Sequence, residues 1–184
     1  MNSVQLYNAL RVILKPYKIK SFDVLSSDKI QSAISKSKSF PSVYIVNILP
    51  SYSKTIMGHW VVIIIVNCKT LDIFDSFGKN LVSYNQTLFR FLNNYTVIQL
   101  FRSVQNIDSE LCGQYTLWYI KQRMQGYNFS QINAMFSRNT KQNDEMIQSF
   151  YNNLKPLILD NYKSVCMQKS CSKRQFICEN VIYC

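Results

Sequence analysis

The densest apolar stretch of the chain is WVVIIIV (60–66), where both alternating sets of positions are hydrophobic. A strand with one wet face alternates apolar and polar residues, so this pattern predicts a central strand covered on both sides. NCKT (67–70) reads as a turn, and LDIFDS (71–76) as a second strand ended by FGK. Such a pair is antiparallel, which puts the start of the first strand and the end of the second at one end of the sheet. His59 stands just before that start and Asp75 at that end. VYIVNIL (43–49), closed by Pro50, and TVIQLF (96–101) read as further strands, the latter in the core.

Between these runs the apolar spacing lengthens to that of helices. SVQLYNALRVILK (3–15) predicts a first helix stopped at Pro16. DKIQSAISK places Ile30, Ala33 and Ile34 on one face behind a Ser27 cap. A helix is also expected over 84–94. CGQYTLWYIKQRMQG (112–126) is apolar around most of its first half, so its start should be buried. Lys121 and Arg123 suit its C-terminal dipole, and Gly126 its stop. NDEMIQSFYNNLKPLI holds another amphipathic helix behind an Asn or Asp cap. From about residue 163 the chain becomes SVCMQKSCSKRQFICENVIYC, with four cysteines and few core-forming residues. The expected organisation is one domain over 1–162 and a Cys-rich tail over 163–184.

Composition narrows the class. A chain of 184 residues suffices for one domain with a real core, and 47% hydrophobic against 17% charged residues excludes disorder. The net charge of +11 fits either polyanion binding or a merely solvated surface, and the positive charges form no run of five. No segment reaches the roughly 18 apolar residues of a membrane span. The first residues, MNSVQLYNALRVILKPYK, lack the parts of a signal peptide. The expectation is a protein that is not secreted and whose thiols stay reduced, so its six cysteines are free, catalytic or metal-binding.

The chain has one histidine, so a Cys–His site must use His59 as base. Cysteine attacks as thiolate and needs a base or a positive field beside it. Cys112 is the candidate nucleophile, because it opens a helix whose N-terminus carries partial positive charge. Gly113 after it lets backbone or substrate approach closely. Asp75, 16 residues beyond His59 and at the same end of the hairpin, can orient the imidazole. Gln105, in the polar loop seven residues before Cys112, can offer an amide to a developing oxyanion together with the Cys112 N–H. Taken singly, each has a plainer reading: a surface histidine, a turn carboxylate, a loop glutamine, a small buried thiol. Cys68 falls at the turn, away from His59, and is given no role. Cys166, Cys171, Cys178 and Cys184 are separated by four, six and five residues with no C-x2-C pair, a weak zinc signal, and no metal is expected.

The combination is more specific than its parts. G-H-W, buried strand, turn, a strand ending D-S-F-G, third strand, Gln, six residues and C-G resembles the adenovirus protease (adenain) family. It resembles still more the adenovirus-like proteases of Polinton/Maverick elements and related DNA viruses. The likeness covers residues 23–159, includes three of the four glycines, and carries His59, Asp75, Gln105 and Cys112 as catalytic residues. Trp60 and Gly113 follow as substrate-binding positions. The implied fold is α+β, papain-like with circular rearrangement: a mixed central β-sheet flanked by helices, the nucleophile heading a buried helix. The implied function is virion maturation by a monomeric cysteine endopeptidase that cuts capsid and core precursors near small residues such as Gly. The implied location is the virion and the host nucleus or cytoplasm. The acid is Asp where the adenovirus enzyme has Glu. That enzyme's peptide cofactor is disulfide-bonded to a cysteine between acid and glutamine, and none lies between Cys68 and Cys112. No cofactor is therefore required, while DNA and an activating peptide stand as candidate activators. Two alternatives stay open: a protease for ubiquitin- or SUMO-like modifiers, and a basic DNA-binding structural protein.

Overall fold

The hairpin read from residues 60–76 lies at the centre of the sheet. In the computed structural model, which describes residues 1–37, 39–54 and 58–167 with side chains as far as Asn161, β3 (Trp60–Asn67) and β4 (Thr70–Phe74) pair antiparallel, Val62 opposite Phe74. β2 (Ser42–Asn47) lies antiparallel on the other side of β3. β1 (Ser21–Ser26) and β5 (Thr96–Gln99) add parallel edges, giving the order β1-β2-β3-β4-β5. The sheet is mixed, as expected.

The doubly apolar pattern of β3 is explained by what covers each face. Val62 and Ile64 join Val43, Ile45 and Phe74 under α1 (Ser3–Leu14), α5 (Cys112–Met124) and α7 (Thr140–Met167). Val61, Ile63 and Ile65 join Tyr44, Val46 and Ile73 under α2 (Ser27–Lys36) and the short helices α3 (Leu81–Tyr84) and α4 (Gln86–Phe89). Burying each such aliphatic side chain contributes about 1.5–3 kcal/mol. The result is an α+β molecule with helices on both faces of a mixed sheet.

Several elements differ from expectation. TVIQLF is an edge strand with Thr96, Val97 and Ile98 exposed, because no helix covers the end of the sheet. The helix expected over 84–94 is broken in two and then tightens to a 3-10 turn (Arg90–Asn94). The break is Asn85, whose extended backbone and side chain restart the chain by accepting from Leu88 N. The residue before α2 is Ser26, which makes no capping hydrogen bond, and Ser27 is the first residue of the helix. β1 and α6 (Phe129–Ala134), the latter behind an Asn128–Gln131 capping box, were not predicted. α7 begins at Thr140, because Asn143 is buried and donates to Val104 O and Ser137 O rather than capping. It continues past Pro156 and residue 162 to Met167. The boundary expected at 162/163 therefore falls within this helix. Cys166 lies on that helix beyond the described side chains, and Cys171, Cys178 and Cys184 lie outside the described residues.

Candidate active site

The strand pairing brings two of the predicted residues together directly. His59 precedes β3, Asp75 follows β4, and His59 Nε2 lies 2.6 Å from Asp75 Oδ1 with both side chains buried. Asp75 accepts from three further donors. Phe77 N reaches Oδ1 at 2.8 Å, while Lys79 N (3.2 Å) and the Tyr84 hydroxyl (2.8 Å) reach Oδ2. Aromatic rings fix the plane of the imidazole. Phe77 stacks on it at 4.7 Å between centroids, and Tyr84 lies 5.9 Å away at a tilt.

Cys112 completes the arrangement from the opposite element. It is the first residue of α5, which has no side-chain cap, so the first-turn N–H groups have no partner within the helix. The His59 ring hydrogen-bonds the Cys112 sulfur. With Nε2 engaged by Asp75, Nδ1 is the nitrogen left for that bond. Burial alone would push the thiol up, but the hydrogen bond and charge of His59, aided by the Trp60 N–H, lower it. Burial likewise opposes charge on His59, yet Asp75 and Cys112 together raise the imidazole to about 9. Each group favours the ionised form of the other, so thiolate and imidazolium form a pair.

Gln105 lines the same cleft. Its loop is pinned to the D-S-F-G turn, since Val104 N and Gln105 N both donate to Ser76 O, at 2.9 and 3.1 Å. Gly78 makes that contact attainable. It adopts φ +68°, and a Cβ there would lie 2.3 Å from the Arg102 carbonyl carbon. From behind, Asn143 Nδ2 donates to Val104 O at 2.9 Å, and the Tyr115 hydroxyl lies 3.0 Å from the same oxygen. The Ser76 hydroxyl donates to Gln105 Oε1 at 2.6 Å, which turns the amide nitrogen toward Ser109. There it donates to Ser109 O at 2.6 Å and to Ser109 Oγ at 3.1 Å. The amide is thus oriented but engaged, and would release Ser109 Oγ to meet an oxyanion.

Trp60 and Gly113 separate. The Trp60 ring walls the cleft, and its Nε1 donates to Met1 O at 3.2 Å. Gly113 is turned the other way. A Cβ there would meet Leu6 Cδ2 at 3.3 Å and Met1 Cβ at 3.4 Å, so its bareness serves the close seating of α1. Cys68 is exposed in the β3–β4 turn, as expected. Among the described residues no cluster of His, Cys, Asp or Glu could hold a metal, and no helix is long and apolar enough to cross a membrane.

The sequence reading missed the supporting cast: Tyr84, Phe77, Ser76, Ser109 and the cleft wall formed by Met1, Asn2 and Ser3. Phe77 and Ser76 adjoin Asp75 and were within reach of a turn argument. Tyr84 and the first residues arrive through tertiary packing alone.

The cleft around Cys112 has a volume of about 720 Å³ and opens to solvent. No family model matches the sequence, and no curated protein matches it. Solved structures do. The ASFV pS273R protease aligns at 17% identity and TM-score 0.46 over 78% of this chain and 64% of that one. ChlaDub1 from Chlamydia trachomatis aligns at 13% and 0.46 over 85% and 78%. The central domain of the Lpg1148 protein from Legionella pneumophila aligns at 13% and 0.51 over 86% of this chain and 97% of that one, a likeness of fold along nearly the whole of both.

Proposed function

We propose that this chain is a cysteine endopeptidase that matures virions by cutting capsid and core precursors. The observation that carries the enzymatic reading is His59 held between Asp75 and the Cys112 thiol at the head of a buried helix. The viral role rests on the adenovirus-like motif order, and with it the location in the virion and the host nucleus or cytoplasm.

The chemistry follows from the pair. The Cys112 thiolate attacks a peptide carbonyl carbon, and the developing oxyanion meets the Cys112 N–H and the Gln105 amide. His59 gives its proton to the leaving amine as the C–N bond breaks, leaving a thioester on Sγ. His59 then takes a proton from water as that water attacks the thioester, and collapse returns a carboxylate product and the thiolate. Asp75 keeps the ring in place and stabilises its cationic form. DNA and an activating peptide are proposed as accessory partners only, the former on net charge.

The test is cleavage of co-expressed capsid precursors and of a proteome-derived peptide library by wild type and Cys112→Ala, with mass spectrometry of new termini. Termini made by wild type alone are expected, with small residues beside the cut. Identical termini from both proteins would refute the reading.

A further inference from the structure

The side chains of the cleft differ from those of the molecule at large. The chain carries 21 Lys and Arg against 10 Asp and Glu, yet among the described residues no Lys or Arg lines the cleft. Its wall does hold Asp108 and Glu110, four and two residues before Cys112. Most other carboxylates have a partner: Asp28 takes Ser51, Asp72 takes Arg123, Asp75 takes His59, and Asp144 takes Tyr115. Asp108 and Glu110 are exposed and make no side-chain hydrogen bond or ion pair among the described residues. Ile107, beside them in the same wall, is 78% exposed.

Each feature alone is ordinary. Together, on the wall of a cleft that also presents the thiolate, they make a recognisable chemical surface. Unpaired carboxylates accept from a cationic head, and an exposed branched aliphatic side chain covers the apolar stem of Lys or Arg. His59 and the positively charged Met1 N-terminus line the same cleft, so the two carboxylates act as local acceptors and not as a field of one sign. We propose that this cleft selects peptide segments carrying Lys or Arg close to the bond that is cut, with Asp108 and Glu110 as acceptors and Ile107 as the surface for the stem. The inference rests on the endopeptidase reading and names its substrate class. It also places any polyanion bound through the net charge outside the cleft.

The experiment uses the full chain and a peptide pool randomised on both sides of a Gly core, with kcat/KM ratios read by mass spectrometry. Wild type should prefer Lys or Arg over Glu by at least about fivefold at one or more positions, near the upper end for a single exposed ion pair. The preference should shrink as salt rises. D108N/E110Q should bring the ratio to within about twofold of one, while Asp160→Asn, on α7, keeps the wild-type ratio. A preference that is absent, or that survives D108N/E110Q, overturns the assignment. A second readout separates this failure from that of the protease reading. On Cys112→Ala, fluorescence anisotropy compares a Lys-rich peptide with its lysine-acetylated form. Charge-dependent binding abolished by D108N/E110Q, with no turnover by wild type, would sink the protease and keep the cleft assignment. Turnover without charge-dependent binding or preference would do the reverse.

Discussion

Asp75→Asn probes the central claim, that a buried carboxylate keeps His59 charged beside Cys112. The amide has nearly the same shape and can still accept from Phe77 N and the His59 ring. It brings no charge, and its NH2 group must face Lys79 N. His59, buried and left with only Cys112 to raise it, should fall from about 9 toward the ordinary imidazole value of 6.5. That change of about 2.5 pH units corresponds to about 3.4 kcal/mol at 1.36 kcal/mol per unit, or roughly 300-fold. The assay is the rate of iodoacetamide alkylation of Cys112 between pH 5 and 10, resolved by peptide mapping because Cys68 is also exposed. Wild type should react fast at neutral pH. Asp75→Asn should react there about two orders of magnitude more slowly and recover only in the ordinary thiol range. An unchanged pH profile in a folded Asp75→Asn protein would refute the reasoning, since Cys112 would then owe its thiolate to the helix alone.

Three further outcomes follow from the same geometry. In wild type, alkylation should persist above pH 9 while kcat/KM falls through about 9, because attack needs only thiolate whereas amine release needs protonated His59; parallel profiles would contradict the assigned roles. Tyr84→Phe removes one donor from Asp75 Oδ2 and leaves the ring beside His59, so kcat should fall about tenfold with KM little changed; steady-state kinetics that show no loss in kcat would exclude a positioning role. Arg123→Ala strands the buried Asp72 carboxylate, which keeps only Tyr119, and should destabilise the fold by about 2–4 kcal/mol. Burial already raises Asp72, and loss of the cation raises it further. The folded state then binds a proton that the unfolded state releases, so the variant should regain stability as pH falls from 7 toward 5. Thermal melts across that range would refute this if the gap to wild type stayed constant.

The site was legible in proportion to how local its causes are. The two apolar runs over 60–76, parted by the turn NCKT, gave a hairpin, and antiparallel pairing then dictated that His59 and Asp75 share one end, as Val62 opposite Phe74 bears out. Cys112 followed from the apolar start of α5. Tyr84 had no such signal, since α3 spans a single turn set by the Asn80 cap, too short for any period. Glycine marks close approach without naming the partner, and at Gly113 the structure shows Leu6 of α1 and Met1 as neighbours. β5 erred for a kindred reason: TVIQLF is as apolar as a core strand, but whether a strand is central or at the edge is decided by the order of the sheet, not by its own residues.

Charge makes the same point about function. A net +11 is a sum over the chain, and a sum suggests polyanions. The fold distributes that charge unevenly. Lys121 and Arg123 end α5 far along the helix from Cys112, and Arg102 is tied to Asn133 and Phe136. The loop that must deliver Gln105 to the thiol brings Asp108 and Glu110 with it. A ligand in the cleft therefore meets two carboxylates and no Lys or Arg side chain, on a protein that is basic overall. Composition limits what the outer surface attracts, whereas the choice of substrate belongs to the few residues that chain folding sets beside the nucleophile.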